Sequence, residues 1–424
     1  MNQPRTLEQW LEWQSGLHPS EIELGLGRVS RVLQALNLPP LNRVITVAGT
    51  NGKGTTVAAY EAWLHTGGHK VASYTSPHLL RYNERVRLAR HAVSDADLCR
   101  AFERVDEARD DTRLTYFEFG TLAALILIAE YQPDYALLEV GLGGRLDAVN
   151  VVDPDLAHIT TIGLDHQAWL GNDLESIGRE KAGILRPGCT AVCSDADAPF
   201  SIVQRAEQLG CKLLLAGRDY QLQSLDQDHF QWQCAAHDLV VELPLAGRHQ
   251  AANFAGVLAG LDSLGLLRGL DARSINRGFE SIQLAGRIQH LRVEGKACDL
   301  IVDVGHNPLA ASAIAAYLRD SKNGRKVNFI LGMLDDKDVA GFVRELSDLV
   351  DIWSLVSLPG ERGLSARQLQ QRSAQHLGRA HLFDSVSEAL SAGLCSAANQ
   401  DILFVAGSFL TVEAVFKSPG LKLI

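Results

Sequence analysis

The sequence lacks a basic run and a long apolar segment at its start. Its 424 residues carry 40 Lys and Arg against 50 Asp and Glu, for a net charge of −10. This balance argues against a surface that binds nucleic acid or an anionic membrane. The first thirteen residues include Glu8 and Glu12 and no long apolar core, so they predict neither a signal peptide nor a membrane anchor. We therefore expect a cytoplasmic protein that binds small molecules, with neither nucleic acid nor membrane as a partner.

Cysteine is scarce and scattered. The seven cysteines are an odd number and form no CxxC pair, which argues against a disulfide or zinc framework. We predict that they are reduced and pack as small apolar residues. The sequence also lacks internal repeats and low-complexity tracts, which argues against a solenoid or a disordered scaffold. With 46% hydrophobic residues, it is a globular chain long enough for two or three domains.

Short β-branched apolar runs alternate with longer helical patterns over the first half of the chain. Such runs, buried on both faces and separated by helices, predict a mostly parallel sheet. The predicted strands are 44–48, 135–140, 156–162, 189–194 and 212–216. Between about residues 220 and 244 short alternating strands replace this pattern, at 230–234 and 239–243. They predict a small antiparallel subsheet attached to the first domain.

A second β/α series begins near residue 300, after a mixed segment that carries two glycines. Its predicted strands are 300–304, 327–331, 352–355 and 402–405. The sequence therefore predicts an α/β protein, in which an N-terminal P-loop-type domain with a mostly parallel sheet precedes a C-terminal Rossmann-like α/β domain. The predicted domains are residues 1–286 and 298–424, joined by a linker at 287–297.

A glycine-rich turn joins the strand at 44–48 to a helix-forming stretch. Its residues are Gly49, Thr50, Asn51, Gly52, Lys53, Gly54 and Thr55. Backbone N–H groups at such a turn can bind phosphate oxygens, Lys53 can reach the β- and γ-phosphates, and the Thr55 hydroxyl can bind magnesium. Gly49 precedes Lys53 by only four positions, so the spacing departs from the usual phosphate loop. A glycine turn without a ligand is the alternative, but the order of strand, glycines, lysine, hydroxyls and helix favours phosphate binding.

An acidic residue and a histidine follow two other predicted strands. Glu139 ends the strand at 135–140, and His166 follows the strand at 156–162. Ligand sites of α/β sheets lie at the carboxyl ends of strands, so we expect these side chains at neighbouring strand ends, where they could share divalent metals. Histidine is an uncommon magnesium ligand, and His166 taken alone is more often structural.

The string Gly49–Lys53 with its following hydroxyl resembles the ATP loop of the Mur-type peptide ligases. The extra Gly54 is similar to the folylpolyglutamate synthase branch of that group. Further strings continue the resemblance in family order, at 74–79, 114–121, 139–147, 165–166 with 169–171, 180–184, 249–253, 286–287, 303–308, 332–334 with 336–338, and 407–412. The sequence thus resembles the folylpolyglutamate synthase/dihydrofolate synthase family along nearly its whole length.

The resemblance implies two magnesium sites and ATP as a co-substrate, and a monovalent cation is a further expectation. In the family, the residues matching Thr55, Ser76 and Glu139 surround the magnesium that bridges the ATP phosphates. Those matching Glu139, His166 and a carbamylated Lys181 surround the second. From the sequence alone Lys181 would be a solvated surface lysine. A partly buried amine with a depressed pKa could capture CO2, however, and the carbamate would offer anionic oxygens to magnesium.

The resemblance also implies the substrate-binding residues. The pterin side comprises Thr115, Tyr116, Phe117, Glu118, Leu146, Asp147 and Ala148. An aromatic face can stack on a pterin and a carboxylate can accept its N–H donors, although ordinary core packing of Phe117 is a close alternative. Besides the loop, the family's ATP contacts match Asn253, Arg287 and Asp303, and Ser408 matches a position near the glutamate carboxylate.

The resemblance assigns catalytic roles to Lys53, Lys181, Arg287 and His306. Gly305 departs from the alanine that usually precedes the histidine in this family, and we expect little effect from that change. The implied reaction is ATP-dependent ligation of L-glutamate to dihydropteroate and to folates through an acyl phosphate, catalysed by a monomer.

Three alternatives remain open at this point. The first is a folylpolyglutamate synthase without the dihydrofolate synthase activity. The second is a Mur-type cell-wall ligase, which the strings at 114–121 and 141–147 disfavour because they are typical of the folate branch. The third is a nucleotide-binding regulator without catalysis, which is hard to reconcile with Lys53, Glu139, His166 and Lys181 all being present.

Overall fold

The computed structural model describes residues 5–18, 20, 22–226, 229–242, 248–282, 284–296, 298–396 and 401–418. The chain forms two compact units. Unit 1 consists of Met1–Ile162, Leu170–Leu245 and Gln250–Gln283. Unit 2 consists of Gly163–Trp169, Ala246–His249 and Leu284–Ile424, so the short segment Gly163–Trp169 belongs to unit 2 although the flanking sequence belongs to unit 1.

An eight-stranded sheet forms the centre of unit 1. Its strands are β1 (Arg43–Ala48), β2 (Val71–Tyr74), β3 (Val86–Leu88), β4 (His91–Ala92), β5 (Tyr135–Glu139), β6 (Leu156–Ile159), β7 (Thr190–Cys193) and β8 (Lys212–Leu215). Their order across the sheet is β4-β3-β2-β5-β1-β6-β7-β8. The pairings from β2 to β8 are parallel, and β3 and β4 add antiparallel pairs at one edge. The predicted mostly parallel sheet is confirmed.

The central position of β1 follows from its composition. Five of its six residues are buried, as are all five of β5, which is the pattern of strands covered on both faces. In the register, Val47 pairs with Glu139 of β5 on one side and with His158 of β6 on the other. The expectation that Glu139 and His166 follow neighbouring strands was therefore wrong, because β1 lies between β5 and β6 in the sheet.

Helices flank this sheet and carry most of its covering side chains. Those of unit 1 are α1 (Leu7–Ser15), α2 (Gly27–Leu36), α3 (Lys53–Thr66), α4 (Asp95–Arg109), α5 (Tyr116–Tyr131), α7 (Leu174–Lys181), α8 (Phe200–Gln208), α9 (Arg248–Ser263) and α10 (Ala272–Phe279), whereas α6 (Gln167–Leu170) lies mainly in the segment that belongs to unit 2. Short 3-10 turns occur at Tyr82–Arg85, Ala148–Val151 and Ala182–Ile184. Helix α5 is apolar around its circumference and is buried throughout its middle, as expected for a helix inside a large core.

The predicted antiparallel subsheet is present in unit 1. Its strands β9 (Tyr220–Ser224), β10 (His229–Cys234) and β11 (Asp238–Glu242) lie in the order β11-β10-β9 and pair antiparallel. The polar–apolar alternation that predicted it is visible in β10, where Trp232 is fully buried between partly exposed glutamines.

Unit 2 contains a six-stranded sheet in the order β12-β13-β17-β14-β15-β16. The strands are β12 (Gln289–Leu291), β13 (Asp299–Val302), β14 (Val327–Leu331), β15 (Ile352–Val356), β16 (Ala380–Phe383) and β17 (Ile402–Ala406), and the helices are α11 (Pro308–Ser321), α12 (Val339–Leu346), α13 (Ala366–Ser373), α14 (Val386–Ser396) and α15 (Phe409–Phe416). All pairings are parallel except that of β12 with β13. The predicted C-terminal α/β domain is confirmed. Strand β12 lies inside the predicted linker, so the domain limits remain a prediction.

Two further observations concern the chain as a whole. Among the residues described, no helix is long and apolar enough to cross a membrane. All seven cysteines are free thiols, and only Cys193 is fully buried.

Candidate active site

The glycine-rich turn after β1 has the geometry of a phosphate-binding loop. Gly49 and Gly52 have φ values of 152° and 87°, a region of backbone conformation that favours glycine. Gly52 occupies the N-cap of α3 and has no side chain to accept hydrogen bonds from the N–H groups of the first turn, where no acidic residue lies either. Those N–H groups and the positive end of the helix dipole suit an anion such as phosphate.

The two glycines are also required by close packing behind the loop. A Cβ on Gly49 would lie 1.7 Å from Thr160 Oγ1, and a Cβ on Gly52 would lie 2.4 Å from Asn253 Oδ1. The Thr50 N–H donates to the carbonyl of Thr161 at 2.8 Å. The loop is therefore held between the chain that follows β6 and the side chain of Asn253 on α9.

Two lysines converge on this loop. The ammonium group of Lys53 donates to the carbonyls of Gly49, at 3.0 Å, and Thr50, at 3.1 Å. The ammonium group of Lys181 donates to the same Gly49 carbonyl at 2.8 Å. Lys181 is 3% exposed, so the interpretation of it as a solvated surface lysine was wrong. The structure thus brings two lysine side chains to the loop where the sequence predicted phosphate.

Several buried polar atoms around the loop have no hydrogen-bond partner among the described residues. They include the hydroxyls of Thr55 and Thr56 and the Oδ1 atom of Asn253. Most buried polar groups in proteins are hydrogen-bonded, so orphaned oxygens clustered at one site indicate a place where a bound group supplies the partner. Thr55 and Asn253 are two of the residues assigned to metal and ATP in the sequence.

Glu139 and Ser76 meet at the carboxyl end of the parallel strands. Glu139 ends β5 and is 5% exposed, and its Oε2 accepts a hydrogen bond from the Ser76 N–H at 3.3 Å. The carboxylate lies one strand away from the phosphate loop, because β5 pairs directly with β1. The sequence-predicted metal residues Thr55, Ser76, Glu139 and Lys181 all belong to unit 1.

His166, the remaining predicted metal residue, lies in the part of the chain that belongs to unit 2. It has a φ of 50°, which is uncommon for a residue with a side chain and often marks a functional position. Its Nε2 lies 3.3 Å from the ammonium group of Lys337. Burial, supported by the positive charge of Lys337 and opposed by Asp165, lowers the pKa of His166 to about 4. The imidazole is therefore neutral near pH 7, the form that binds metals.

Unit 2 also contains a charged cluster that sequence reasoning missed. Asp165 accepts hydrogen bonds from the ammonium group of Lys337, at 2.7 Å, and from the Asn307 side chain, at 2.9 Å, and lies 3.5 Å from His306 Nε2. Burial opposes ionisation of Asp165, but His306 and Lys337 hold its pKa well below the usual range. The acid–base strings at 165–166 and 336–338 were the available signal, yet Asp165 and Lys337 received no role.

On the pterin side, Thr115 and Glu118 already have structural partners. Thr115 caps α5 and accepts from the Glu118 N–H at 3.3 Å, while the Glu118 carboxylate accepts from the Thr115 N–H at 2.8 Å, forming a capping box. The buried Glu118 is also paired with Arg28, whose Nη2 lies 2.9 Å from Oε1. Arg28 was not among the predicted site residues, because its link to Glu118 spans ninety positions of sequence.

Asp147 is a buried carboxylate at the start of a 3-10 turn. Its Oδ2 accepts from the Leu142 N–H at 2.8 Å and its Oδ1 from the Val149 N–H at 2.9 Å. Burial raises the pKa of Asp147 to about 6, although these backbone donors favour the charged form. The neighbouring assigned residues differ in burial, since Ala148 is buried and Leu146 is half-buried.

Phe117 is half-buried and has a defined ring position. It stacks on Tyr74 with the ring centroids 6.1 Å apart and the planes inclined by 29°. A Cβ on Gly141 would lie 2.5 Å from the Phe117 ring, so the glycine after β5 makes room for the aromatic face. The adjacent Tyr116 is also half-buried. The pterin-side residues Phe117 and Asp147 thus flank the loop that begins at Gly141.

The remaining predicted residues lie at the carboxyl ends of β13 and β17, which are neighbours in the sheet of unit 2. Asp303 accepts from the N–H groups of Ile288, at 2.9 Å, and Gly305, at 2.6 Å. Ser408 caps α15 by accepting from the Thr411 N–H at 3.0 Å. The Arg287 guanidinium lies 5.6 Å from the centre of the Phe409 ring, a cation–π distance.

The departure at Gly305 has a local explanation. A Cβ at this position would lie 2.7 Å from Asp303 Oδ1 and 2.8 Å from the Cβ of Ala310. An alanine here would need a small shift of α11 or of the Asp303 carboxylate. The following His306 keeps its place through a hydrogen bond between Nδ1 and the Val304 carbonyl at 2.9 Å.

Comparison with known families agrees with this geometry. Residues 47–261 match the Mur ligase middle domain, and residues 286–409 match the glutamate ligase domain of Mur ligases. The fold and the phosphate loop therefore define a Mur-type ligase, an ATP-dependent enzyme that joins an amino acid to a carboxylate. This confirms the enzyme class predicted from the sequence.

Individual relatives narrow the class to one family. The dihydrofolate synthase/folylpolyglutamate synthase of Escherichia coli (strain K12) is 43% identical over 97% of this chain and 95% of its own. The Haemophilus influenzae protein of the same name is 37% identical over 96% of each chain. The chain belongs to the dihydrofolate synthase/folylpolyglutamate synthase family, as the sequence predicted.

Solved structures extend the comparison. An E. coli relative in complex with DHPP and ADP matches with a TM-score of 0.91 at 40% identity, over 98% of both chains. A bifunctional folylpolyglutamate synthase/dihydrofolate synthase with Mn, AMPPNP and L-glutamate bound matches with a TM-score of 0.88 at 43% identity, over 97% of this chain and 98% of its own.

Proposed function

We propose that this enzyme ligates L-glutamate to dihydropteroate and to folates, forming dihydrofolate and folylpolyglutamates. The observation that carries the proposal is the set of orphaned oxygens of Thr55 and Asn253 around a glycine loop on which Lys53 and Lys181 converge. Relatives that carry both activities in their names, at 43% and 37% identity over nearly the whole chain, support both activities rather than one. The free cysteines suit a reducing compartment such as the cytoplasm.

ATP binds to the phosphate loop in this proposal. The backbone of residues 49–55 and the Lys53 ammonium group hold the phosphates, with Asn253 beside Gly52. The resemblance also assigns the Asp303 carboxylate to the ribose hydroxyls and Arg287 to the charge on the transferred phosphoryl group. The relative solved with ADP and the one solved with AMPPNP support nucleotide binding.

A divalent cation, magnesium in our proposal, fits the residues beside the loop. The orphaned Thr55 hydroxyl and the buried Glu139 carboxylate are oxygen donors of the kind that magnesium prefers, and Ser76 contacts Glu139. Glu139 and a carbamylated Lys181, both of unit 1, would supply oxygens to a second ion, to which the resemblance also assigns His166. Bound there, such cations would neutralise charge on the phosphoryl group. The relative solved with Mn supports a divalent metal, whereas the number of ions and a monovalent cation are proposals alone.

The protein's own residues position the reactants, and no protein nucleophile is needed. A substrate carboxylate oxygen attacks the γ-phosphorus of ATP in line, the bond to the β,γ-bridging oxygen breaks, and ADP leaves. The amine of glutamate then attacks the acyl phosphate carbon, loses a proton and expels inorganic phosphate. Lys53 and Arg287 stabilise the transferred phosphoryl charge, His306 contributes to catalysis beside the nucleotide, and Ser408 holds the glutamate carboxylate.

The pterin binds against Phe117 and Asp147 in this proposal. The Phe117 ring provides a stacking face, and the Asp147 carboxylate, which accepts backbone hydrogen bonds at both oxygens, has lone pairs left for pterin N–H donors. Thr115, Tyr116, Glu118, Leu146 and Ala148 complete this side. The relative solved with DHPP supports a substrate site of this kind.

The decisive experiment offers the purified protein ATP, magnesium and L-glutamate with dihydropteroate or tetrahydrofolate in separate reactions. We expect glutamate-dependent ADP release and product formation with both. Turnover of tetrahydrofolate but not of dihydropteroate would show that the enzyme is a folylpolyglutamate synthase only. Turnover of a UDP-muramoyl substrate alone would overturn the folate assignment. Size-exclusion chromatography with light scattering tests the proposed monomer, and potassium titration tests the monovalent cation.

A further inference from the structure

A chain of three buried polar side chains lies beneath α9 in unit 1. The Tyr60 hydroxyl is 3.0 Å from His158 Nδ1, and His158 Nε2 is 2.8 Å from the Ser194 hydroxyl. Tyr60 is on α3, the helix that begins at the phosphate loop, His158 is on β6, and Ser194 follows β7. All three are buried, at 0%, 0% and 3% exposure.

These three hydrogen-bonded side chains are electrically neutral. Burial lowers the pKa of His158 to about 3 and raises the pKa of the Tyr60 hydroxyl well above its ordinary value. One ring nitrogen of His158 therefore donates and the other accepts, which satisfies both hydroxyl neighbours. A buried neutral chain of this kind does not exchange protons with a substrate, so its role is to fix distances between the elements it joins.

Two glycines of helix α9 pack directly against these three side chains. A Cβ on Gly256 would lie 2.0 Å from the Ser194 hydroxyl and 2.8 Å from His158 Nε2. A Cβ on Gly260 would lie 1.9 Å from the Tyr60 hydroxyl. The polar chain therefore touches the helix backbone, and any side chain at these two positions would lift α9 away from the sheet.

The same face of α9 carries Asn253 to the phosphate loop. Asn253, Gly256 and Gly260 are spaced by three and four residues, so they share one side of the helix. Asn253 is 2% exposed, its Oδ1 has no hydrogen-bond partner among the described residues, and it would meet a Cβ on Gly52 at 2.4 Å. The height of α9 above the sheet therefore sets how closely this amide approaches the loop.

We propose that Tyr60, His158 and Ser194 are positioning residues that set the height of α9 and so hold the Asn253 amide at the phosphate loop for nucleotide binding. This inference rests on the proposed role of Asn253 in binding ATP. The three residues act through Asn253 and do not touch the nucleotide themselves. Their effect should accordingly appear in nucleotide affinity and not in the use of glutamate.

The first measurement is the Kd of a non-hydrolysable ATP analogue with magnesium, determined by calorimetry for Gly256→Ala. Alanine favours a helix over glycine, so weaker binding must come from the contact with Ser194 and His158. We expect Kd to rise about tenfold, since a misplacement of ~1 Å can cost up to about 10²-fold, with the KM for L-glutamate unchanged. Gly393→Ala is the matched control: Gly393 lies on α14 of unit 2, a Cβ there would lie 2.8 Å from the Leu403 side chain on β17, and Kd should stay unchanged.

A double-mutant cycle with Asn253→Ala separates positioning from general loss of structure. We expect Asn253→Ala to weaken binding and Gly256→Ala to add nothing further in that background. Independent, additive losses would overturn the inference while leaving the nucleotide role of Asn253 intact. An unchanged Kd in Asn253→Ala alone would instead overturn the nucleotide role itself and the inference with it.

Tyr60→Phe provides a second variant if Gly256→Ala does not fold. It removes only the hydroxyl that contacts His158 and faces Gly260. We expect a smaller rise in Kd, again absent in the Asn253→Ala background. A wild-type Kd in a folded Tyr60→Phe protein, or a rise that persists without Asn253, would refute the proposed positioning.

Discussion

The phosphate loop and the pterin side of unit 1 differ in how their polar atoms are satisfied. Around the loop, the buried hydroxyl of Thr55 and the Oδ1 of Asn253 have no partner among the described residues. On the pterin side, Thr115, Glu118 and Asp147 accept hydrogen bonds from the protein's own backbone. The loop therefore has buried oxygens whose hydrogen bonds a bound ligand can supply. The polar groups of the pterin side are already hydrogen-bonded, so only their remaining lone pairs can contact a substrate.

This difference predicts how substitutions will act. Substitutions of Thr55 and Asn253 should affect function far more than folding, because the side-chain oxygens of these residues make no hydrogen bond to the described residues. Substitutions of the hydrogen-bonded pterin-side residues should affect both function and folding, because removing these side chains also leaves backbone donors unpaired.

The strongest effect is expected at the phosphate loop. Lys53→Ala and Glu139→Ala should each lower kcat/KM with both acceptors by about 10²–10³, because each removes charge that faces the phosphoryl group or its metal. Circular dichroism should show that both variants fold, with a somewhat lower thermal midpoint because the hydrogen bonds of Lys53 to the loop carbonyls and of Glu139 to the Ser76 N–H are lost. Near wild-type turnover in either variant would contradict the assignment of this loop.

The second prediction concerns the carbamate proposed at Lys181. Lys181→Ala should lose activity by about 10²-fold or more, and short carboxylic acids such as acetate should restore part of it by supplying the missing oxygen donor. Lys53→Ala is the control, since the same acids should not restore its activity. A free amine at Lys181 in active enzyme, seen by crystallography with bicarbonate present, would contradict the carbamate.

The fold could be predicted from sequence further than the site could. Strands such as β1 and β14 are continuous apolar runs and were found, whereas the short or partly exposed β4, β12 and β16 were missed. A strand of two to four half-exposed residues has too little periodicity to stand out from a loop. Their positions depend on neighbouring strands that the sequence does not reveal.

The site was predictable only where its residues lie in one local string. The phosphate loop carries strand, glycines, lysine and hydroxyls within a dozen residues, so its function is legible in the sequence. The pair Asp165 and Lys337 is 172 residues apart, and only the fold brings these charges within 2.7 Å. Lys181 was misjudged from its own sequence for the same reason, because its burial comes from contact with Gly49, 132 residues away.

The third prediction tests whether Asp147, which is hydrogen-bonded to the backbone, affects both function and stability. Asp147→Ala should weaken dihydropteroate use by roughly 1–3 kcal/mol and also destabilise the fold, since the N–H groups of Leu142 and Val149 lose their acceptor. ATP affinity should barely change. Urea unfolding and dihydropteroate kinetics measured on the same preparation check both parts. Loss of activity without loss of stability would contradict the structural role of the Asp147 hydrogen bonds.

The pKa of Asp147 adds a pH dependence with a definite sign. Because this pKa is raised to about 6, the folded protein binds more protons than the unfolded chain between about pH 4 and 6. Stability from this group is therefore present at the acidic end and is lost as the pH rises through about 6. Asp147→Asn should remove that slope from unfolding free energies measured across this range. An identical slope in the variant would show that another group titrates.

The smallest expected effect concerns Phe117. Its ring stacks on Tyr74, and the absence of a side chain at Gly141 leaves room for it. Phe117→Ala should weaken dihydropteroate use by about 0.5–1.5 kcal/mol beyond the lost burial, because the stacking face disappears. Because Phe117 is only half-buried, the thermal midpoint should fall less than in Asp147→Ala. Phe117→Tyr keeps the aromatic face and is the matched control, with expected dihydropteroate kinetics close to wild type. If Phe117→Ala left those kinetics unchanged while lowering stability, the ring would be an ordinary packing residue and the pterin would have to stack elsewhere.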